Sequence, residues 1–298
     1  MPRLSVLVPA YQAAATLGSA LRSTLRTLPR DAEIVVLDDG STDATAEVAD
    51  STGDRRVRVI SRPNAGVAVT LNDLLDATDS ELVARMDADD IVLPGRFSRQ
   101  LRAIAAADAV FTTVVTWGSG APGVPRPSSI EPSSFALHLL LTNPVAHSTL
   151  LARRSAITSA GGYRPLPTED YDLWLRMAAG GARIRRRAMP GLAYRVHPAQ
   201  VTASTEWRRD SWLNPELGQA YSRLAEKVTG APAMRITTLS ITDELSPQQR
   251  RAMVTAFSDR FCAALTEQPP SARRALRRKL AERRAWLDAR LDHRSVAA

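Results

Sequence analysis

The chain has 298 residues, 44% of them apolar, so it can bury a sizeable core and disorder is not expected. A net charge of +8 and a pI near 10.4 invite a nucleic-acid partner, but aromatic residues make up only 5%. That is too little for base-stacking platforms, and the basic excess lies late, in "IRRRAM" and "ARRALRRKLAERR", so no nucleic-acid partner is expected.

The N-terminal "MPRLSVLVPAYQ" has a short apolar run cut by Pro9, which fits a first strand better than a signal peptide. Three further apolar runs follow it: "EIVVLDD" (33–39), "VRVIS" (57–61) and "ELVARMD" (81–87). Between them lie the helix-period segments "AAATLGSALRSTLRTL", "TDATAEVADS" and "GVAVTLNDLLDAT", the second with Ser41, Thr42 or Asp43 as candidate N-cap. Strand–helix units repeating at this spacing predict an α/β, Rossmann-like, mostly parallel sheet sandwiched by helices. In such sheets ligands bind beyond the carboxyl ends of the strands. Here those ends carry "PAY", "DDGS", "SRPNAG" and "DADD", polar and turn-forming sequences at the place a site belongs.

Further along, "SGAPGVPRPSSIEP" (119–132) predicts a long loop. "AHSTLLAR" follows as a strand, "TEDYDLWLRMAAGG" as a helix and "LAYRVH" as a last strand. From Glu206 the pattern is helical and increasingly basic, which divides the chain into a domain at 1–205 and a C-terminal extension at 206–298. No stretch approaches the ~18 apolar residues of a spanning helix. The single cysteine, Cys262, excludes an internal disulfide framework and fits a reducing, cytoplasmic setting.

"DADD" sets Asp87, Asp89 and Asp90 within four positions, and like charges that close raise each other's pKa unless a cation neutralises them. A hard divalent cation with oxygen ligands, Mg²⁺ or Mn²⁺, would do so and would take phosphate oxygens as further ligands. An EF-hand is excluded, because Ile91 and Val92 stand where a further oxygen ligand and a glycine belong. A dehalogenase-type phosphatase places its Asp-x-Asp on the first strand and uses a lysine, whereas the only lysines are Lys227 and Lys279.

Eight segments in order, "SVLVPAYQ", "EIVVLDDGSTDAT", "RPNAGVAVTLN", "ARMDADDIVLPGRF", "NPVAHSTLLARRS", "GGYR", "EDYDLWLR" and "YRVHPAQV", resemble family 2 inverting glycosyltransferases of the GT-A fold. The resemblance implies a nucleotide-diphosphate-sugar donor, UDP-sugar first, and a divalent metal. It implies that Pro9, Ala10 and Tyr11 line the base pocket and that Asp39 accepts a hydrogen bond from the base edge. Asn64, Gly66, Asp87 and Ala88 would lie along the nucleotide. Asp89 would bind the metal, joined by Asp87 and by His197 at the end of "YRVH". The base that deprotonates the acceptor would be Asp170, with Asp172 its competitor. A capped helix start at Thr168 is the plain alternative for the same residues.

Glu169, His147 and Trp117 are the acceptor-side candidates, against ordinary packing roles for the histidine and the tryptophan. The family's arginine or lysine after the "NxG" turn is missing, which leaves Arg62 or Arg85 to meet the diphosphate. The acceptor would be a glycan, lipid-linked or other glycoconjugate hydroxyl. A non-catalytic nucleotide-sugar-binding assembly subunit is the other function class. The tail carries Leu276, Leu280, Leu287 and Leu291 on one stripe, ringed by arginines. That stripe suits docking on the chain itself or a second copy. The sharper alternative is peripheral contact with anionic lipid on the inner face of the cell membrane.

Overall fold

The computed structural model describes residues 2–119, 122–124, 128–197 and 204–295. Each predicted apolar run becomes a strand, the third of them a half-buried strand at the edge of the sheet. β1 (Leu4–Ala10), β2 (Ala32–Asp38), β3 (Val57–Ser61) and β4 (Leu82–Arg85) pair in parallel, β1 in the middle between β2 and β4. Register aligns Ala10 with Asp38 and Asp38 with Ser61, so the carboxyl ends of these strands share one edge.

Four more strands complete the sheet: β5 (Ile91–Val92), β6 (Ala109–Gly118), β7 (Leu151–Arg153) and β8 (Ile184–Val196). The order is β3-β2-β1-β4-β7-β6-β8-β5. β7 runs antiparallel to both β4 and β6, and β5 runs antiparallel to β8, while β6 and β8 are parallel. The sheet is therefore mixed, flanked by helices, with its parallel part confined to the first strands and to the β6–β8 pair. The predicted strand "AHSTLLAR" is shorter than expected. His147–Thr149 form a 3₁₀ turn instead, closed where the Thr149 amide and hydroxyl both donate to Ala146 O.

The chain forms two compact units that interleave in sequence. The first comprises 1–131, 145–165 and 182–200, and holds the whole sheet. Its helices are α1 (Ala14–Thr27), α2 (Thr45–Asp50), α3 (Val67–Asp76), α4 (Arg96–Ala103) and α6 (Arg154–Ser159), with α5 belonging to the second unit. Its core gathers Val6, Val8, Ile34, Val36, Leu17, Leu21 and Phe97, all essentially inaccessible.

The second unit comprises 132–144, 166–181 and 201–298, so two segments before residue 205 belong with the tail rather than with the sheet. It is helical: α5 (Pro132–Leu139), α7 (Glu169–Ala179), α8 (Thr205–Leu213), α9 (Pro215–Thr229), α10 (Ile236–Leu239), α11 (Pro247–Ala264) and α12 (Pro270–Ser295). Local sequence sets the ends. Asn214 caps α9 ahead of Pro215, Gly230 closes it in the left-handed region, and Ser246 with Gln249 forms a capping box before α11.

Leu276, Leu280, Leu287 and Leu291 are all buried, and α12 packs against α5, α10 and α11. The leucine stripe thus serves the unit's own core and is not a face left for lipid. No helix among the described residues is long and apolar enough to cross a membrane.

Candidate active site

Three loops leave the shared edge of β1, β2 and β4, and hydrogen bonds lock them together. After β1, Gln12 takes a left-handed φ of 50°, and its amide donates to Ser41 Oγ at 2.9 Å. The Ala13 amide donates to Thr45 Oγ1 at 2.8 Å and the Ala14 amide to Asp43 Oδ2 at 3.1 Å. Ser41 therefore serves the neighbouring loop, while Asp43 serves both that loop and the start of α2, accepting from the Thr45 amide at 3.1 Å; the N-cap position itself is Ala44, which makes no side-chain cap. Tyr11 stands 55% exposed at the rim, its ring open to a flat partner.

Asp39 is buried, and its oxygens accept from the Ala65 amide at 3.0 Å and the Gly66 amide at 2.9 Å. Arg62 pairs with the same carboxylate at 2.8 Å and with Asp73 at 2.6 Å. Asn64 Nδ2 donates back to Asp39 O. Gly40, at φ 78°, completes the seam, since a Cβ there would lie 2.6 Å from Asn64 N. In this geometry Asp39 holds the 64–66 turn in place, and Arg62 is committed to carboxylates.

After β4 the carboxylates of Asp87, Asp89 and Asp90 bring ligand atoms within 4.8 Å of one another. Asp87 pairs with Arg85. Asp90 is buried; its Oδ1 accepts from the Arg195 amide at 2.8 Å, and its Oδ2 is buried with no donor in full hydrogen-bonding geometry. Burial first, and then the charges of Asp87 and Asp89, push the Asp90 carboxyl up to about 7. Burial followed by Asp87 likewise holds Asp89 above the ordinary carboxylate range, opposed by His197. His197 Nε2 lies 3.4 Å from Asp89 Oδ2, so the closing histidine of "YRVH" reaches the cluster. The β5–β8 pairing explains this: Ile91 opposite Ala193 lines up the acidic loop with the last residues of β8.

Two arginines that the sequence reading gave no role support the loop. Arg96 on α4 is wholly buried and donates to Arg85 O at 2.8 Å, Leu150 O at 3.4 Å and Gln100 Oε1 at 3.2 Å. Burial lowers its pKa to about 9, while the nearby charge of Asp90 pulls the other way. Arg195 donates through Nε to Asp89 O at 3.0 Å, and its guanidinium lies 4.0 Å from the centre of the Trp117 ring. Trp117 Nε1 donates to Ala193 O, so this indole is fixed beside β8.

His147 is buried and shares a hydrogen bond of 3.0 Å with the Tyr163 hydroxyl, which favours its packing role. Tyr163 follows the two glycines of "GGYR", and Asn72 holds that turn by accepting from the Tyr163 amide and donating to its carbonyl, both at 2.9 Å. A Cβ on Gly162 would sit 2.8 Å from Asn72 Oδ1.

The remaining candidates lie in the helical unit, at the start of α7. Thr168 occupies the N-cap position without a capping bond. Asp170 accepts from Asn143 Nδ2 at 2.9 Å and from the Tyr171 amide at 2.6 Å, in the same first turn as Glu169. Asp172 differs: fully buried, it pairs with Arg176 at 2.8 Å one turn on. Removing one partner of a buried pair strands the other charge. Asp172→Ala should therefore lower unfolding free energy by about 3 kcal/mol, and transfer per folded molecule should persist. Chemical denaturation alongside a transfer assay checks both halves.

Comparison with known proteins follows the same segments. The family model "Glycosyl transferase family 2" matches residues 5–187. The chain is 24% identical over 205 residues, 68% of its length and 81% of the relative, to the Escherichia coli protein WfaP. That relative is named UDP-Glc:alpha-D-GlcNAc-diphosphoundecaprenol beta-1,3-glucosyltransferase. It is 33% identical over 202 residues, 60% of this chain and 58% of the relative, to the succinoglycan biosynthesis protein ExoU of Rhizobium meliloti. Among solved structures, S. aureus TarS in complex with UDP-GlcNAc superposes with a TM-score of 0.64 at 17% identity. That superposition covers 100% of this chain and 92% of the TarS 1–349 fragment, against 55% of the longer TarS chain, and shows a shared GT-A fold.

Proposed function

Because the chain belongs to glycosyl transferase family 2, and is a glycosyltransferase, we propose that it is a metal-dependent inverting enzyme using a UDP-sugar. The acceptor is a hydroxyl on a growing cell-surface glycan. The observation that carries the reading is the cluster of Asp87, Asp89 and Asp90 where the parallel strands end. Three converging carboxylates, one of them buried, form a hard oxygen donor set, the kind Mg²⁺ or Mn²⁺ takes. Asp89, Asp87 and His197 are the residues that would hold such an ion. When bound, the cation supplies Lewis-acid neutralisation of the departing diphosphate.

The chain's own residues do the rest. The 55% exposure of Tyr11 suits stacking on the base, with Pro9 and Ala10 behind it and Asn64, Gly66 and Ala88 along the nucleotide. Asp39 already accepts from two amides and pairs with Arg62, which leaves about one of a carboxylate's roughly four acceptor positions for the base edge. Arg85 and Arg195 are the guanidiniums nearest the acidic loop, the first paired with Asp87 and the second bonded to Asp89 O, while Arg62 is held by Asp39 and Asp73. Asp170 is the general base: hydrogen bonds from Asn143 Nδ2 and the Tyr171 amide orient its carboxylate at the start of α7. Single displacement then inverts the anomeric centre as the proton passes to Asp170. Glu169 and Trp117 remain the acceptor-side candidates.

The donor preference follows from two likenesses, one relative named for UDP-Glc and one structural neighbour solved with UDP-GlcNAc. The first of these names a diphosphoundecaprenol-linked acceptor, which supports a lipid-linked acceptor here and work at a membrane surface.

A thermal-shift panel of UDP, UDP-glucose, UDP-N-acetylglucosamine and GDP-mannose, each with Mn²⁺, Mg²⁺ or EDTA, tests donor and metal together. Stabilisation by the uridine ligands that vanishes in EDTA is expected; stabilisation by none of them would overturn the reading. For His197→Ala the expected outcome is Mn²⁺ affinity weakened by about tenfold or more at unchanged melting temperature. Lower stability with unchanged metal affinity would make His197 a packing residue instead.

A further inference from the structure

Away from the carboxylates, the sheet unit carries a second concave feature. It is a cleft of about 560 Å³ lined by Arg99, Arg102, Arg185, Arg187, Ser129, Met189 and three alanines, with no acidic residue in its wall. Secondary structure explains the convergence. Arg99 and Arg102 stand three residues apart on α4, hence on one helix face. Arg185, Arg187 and Met189 alternate along β8, hence on one strand face. The 128–131 segment is stitched to β8, Ile130 and Arg186 exchanging amide–carbonyl bonds of 2.9 Å and Ser129 Oγ accepting from the Ala188 amide.

One of the four arginine charges in the cleft is compensated. Arg185 pairs with Glu131 at 2.6 Å. Among the described residues no carboxylate pairs with Arg99, Arg102 or Arg187; the Arg99 guanidinium meets only the Met189 sulfur, at 3.9 Å. Three guanidiniums on one concave wall repel one another, an arrangement an anion relieves. Arg187 and Arg195 are eight positions apart on β8, with irregularities in the β6–β8 register between them, so the cleft and the carboxylate cluster sit at different stretches of the strand.

We propose that this cleft binds a phosphate- or diphosphate-bearing ligand at a site separate from the donor site. Guanidinium forks pair bidentately with phosphate oxygens, and three of them match the two or more charges a diphosphate concentrates within one cleft. A carboxylated sugar carries only one charge per residue and fits that density less well. Alanine and methionine side chains give the cleft an apolar floor, suited to an anion borne on an apolar body. The source is either a soluble phosphate compound or the phosphate of a lipid headgroup.

The test uses the full chain in EDTA, where the metal-dependent donor site has no cation to attract phosphate. Titration calorimetry with inorganic pyrophosphate compares the wild type, the Arg102→Gln/Arg187→Gln double variant and Asp89→Asn. Both arginines are exposed, so the double variant should melt with the wild type. Pyrophosphate binding that weakens with salt and falls by about tenfold or more in the double variant, but not in Asp89→Asn, is expected. Equal binding in the double variant overturns the proposal. So does silence toward pyrophosphate when a sulfated or carboxylated oligosaccharide binds. Co-sedimentation with phosphatidylglycerol against phosphatidylcholine vesicles distinguishes the sources. Capture by the former that the double variant loses assigns a lipid phosphate, and pyrophosphate binding without capture assigns a soluble one. Because these readouts need no donor, metal or turnover, they fail independently of the transferase reading.

Discussion

Asp170→Asn is expected to bind donor and metal as the wild type does and to transfer sugar about 10² to 10⁴ times more slowly. The carboxylate at the start of α7 accepts from Asn143 Nδ2 and from the Tyr171 amide. An asparagine of nearly the same shape keeps the contact to Tyr171 through its carbonyl oxygen, and Asn143 can turn its own amide oxygen to meet the new NH₂. What the amide cannot do is accept the acceptor hydroxyl's proton. A purely capping carboxylate predicts the opposite pattern, a stability loss of about 1 kcal/mol with turnover mostly kept. Transfer rate at saturating donor, measured with donor affinity and melting temperature on the same protein, separates the two. Near-normal turnover in Asp170→Asn, with collapse per folded molecule in Asp172→Asn, would move the base to Asp172. The buried Asp172–Arg176 pair speaks for Asp172 as a structural residue.

The parts of the site that could be read in the sequence are those built by neighbours in sequence. "DADD" is a local cluster, and its position after an apolar run predicts a strand end without knowledge of the partners. The parallel register of β1, β2, β3 and β4 follows from four repeated strand–helix units, and the structure bears it out. The family resemblance implied a nucleotide-side role for Asp39 but gave no sign that it holds the 64–66 turn, because its partners Ala65 and Gly66 offer only backbone amides, which every residue carries. "EIVVLDD" and "VRVIS" announced their strands as apolar runs; the two residues of β5 could not, being defined wholly by their pairing with β8.

Long-range partners were the rest. Arg96 follows Gly95 in an arginine-rich chain, and nothing local distinguishes it from exposed Arg99 or Arg102. Only the fold, which buries it under Arg85 O and Leu150 O, does so. Arg195 lies within "YRVH", yet its pairing through backbone and side chain with Asp90 and Asp89 depends on β8 reaching the acidic loop. The units' interleaving was hidden for the same reason. α5 and α7 precede the predicted boundary at 205, but Tyr171 and Tyr221 hydroxyls donate to Leu139 O and Leu140 O, tying α7 and α9 to the end of α5. Tyrosine–carbonyl bonds of this kind leave no periodicity to detect.

Asp89→Asn should abolish the metal-dependent part of UDP binding, weakening it by about 100-fold or more, the upper end of what even outer-shell changes cost a metal site. Loss of one anionic oxygen weakens a hard-cation site directly, and the diphosphate is held largely through that cation. The fold gives the experiment an internal control. Burial and the neighbouring charge of Asp87 hold the Asp89 carboxyl above its ordinary range, so in the metal-free protein Asp89 is a source of repulsion. Removing its charge should leave the melting temperature of the metal-free protein unchanged or higher, so weaker binding cannot be blamed on unfolding. Calorimetry of UDP binding, with Mn²⁺ and with EDTA, on both proteins is the check. In EDTA the two should match, because only the cation distinguishes them. With Mn²⁺ the wild type alone should gain. UDP binding of equal strength under all four conditions would remove the metal from the mechanism and return the acidic cluster to a question of folding.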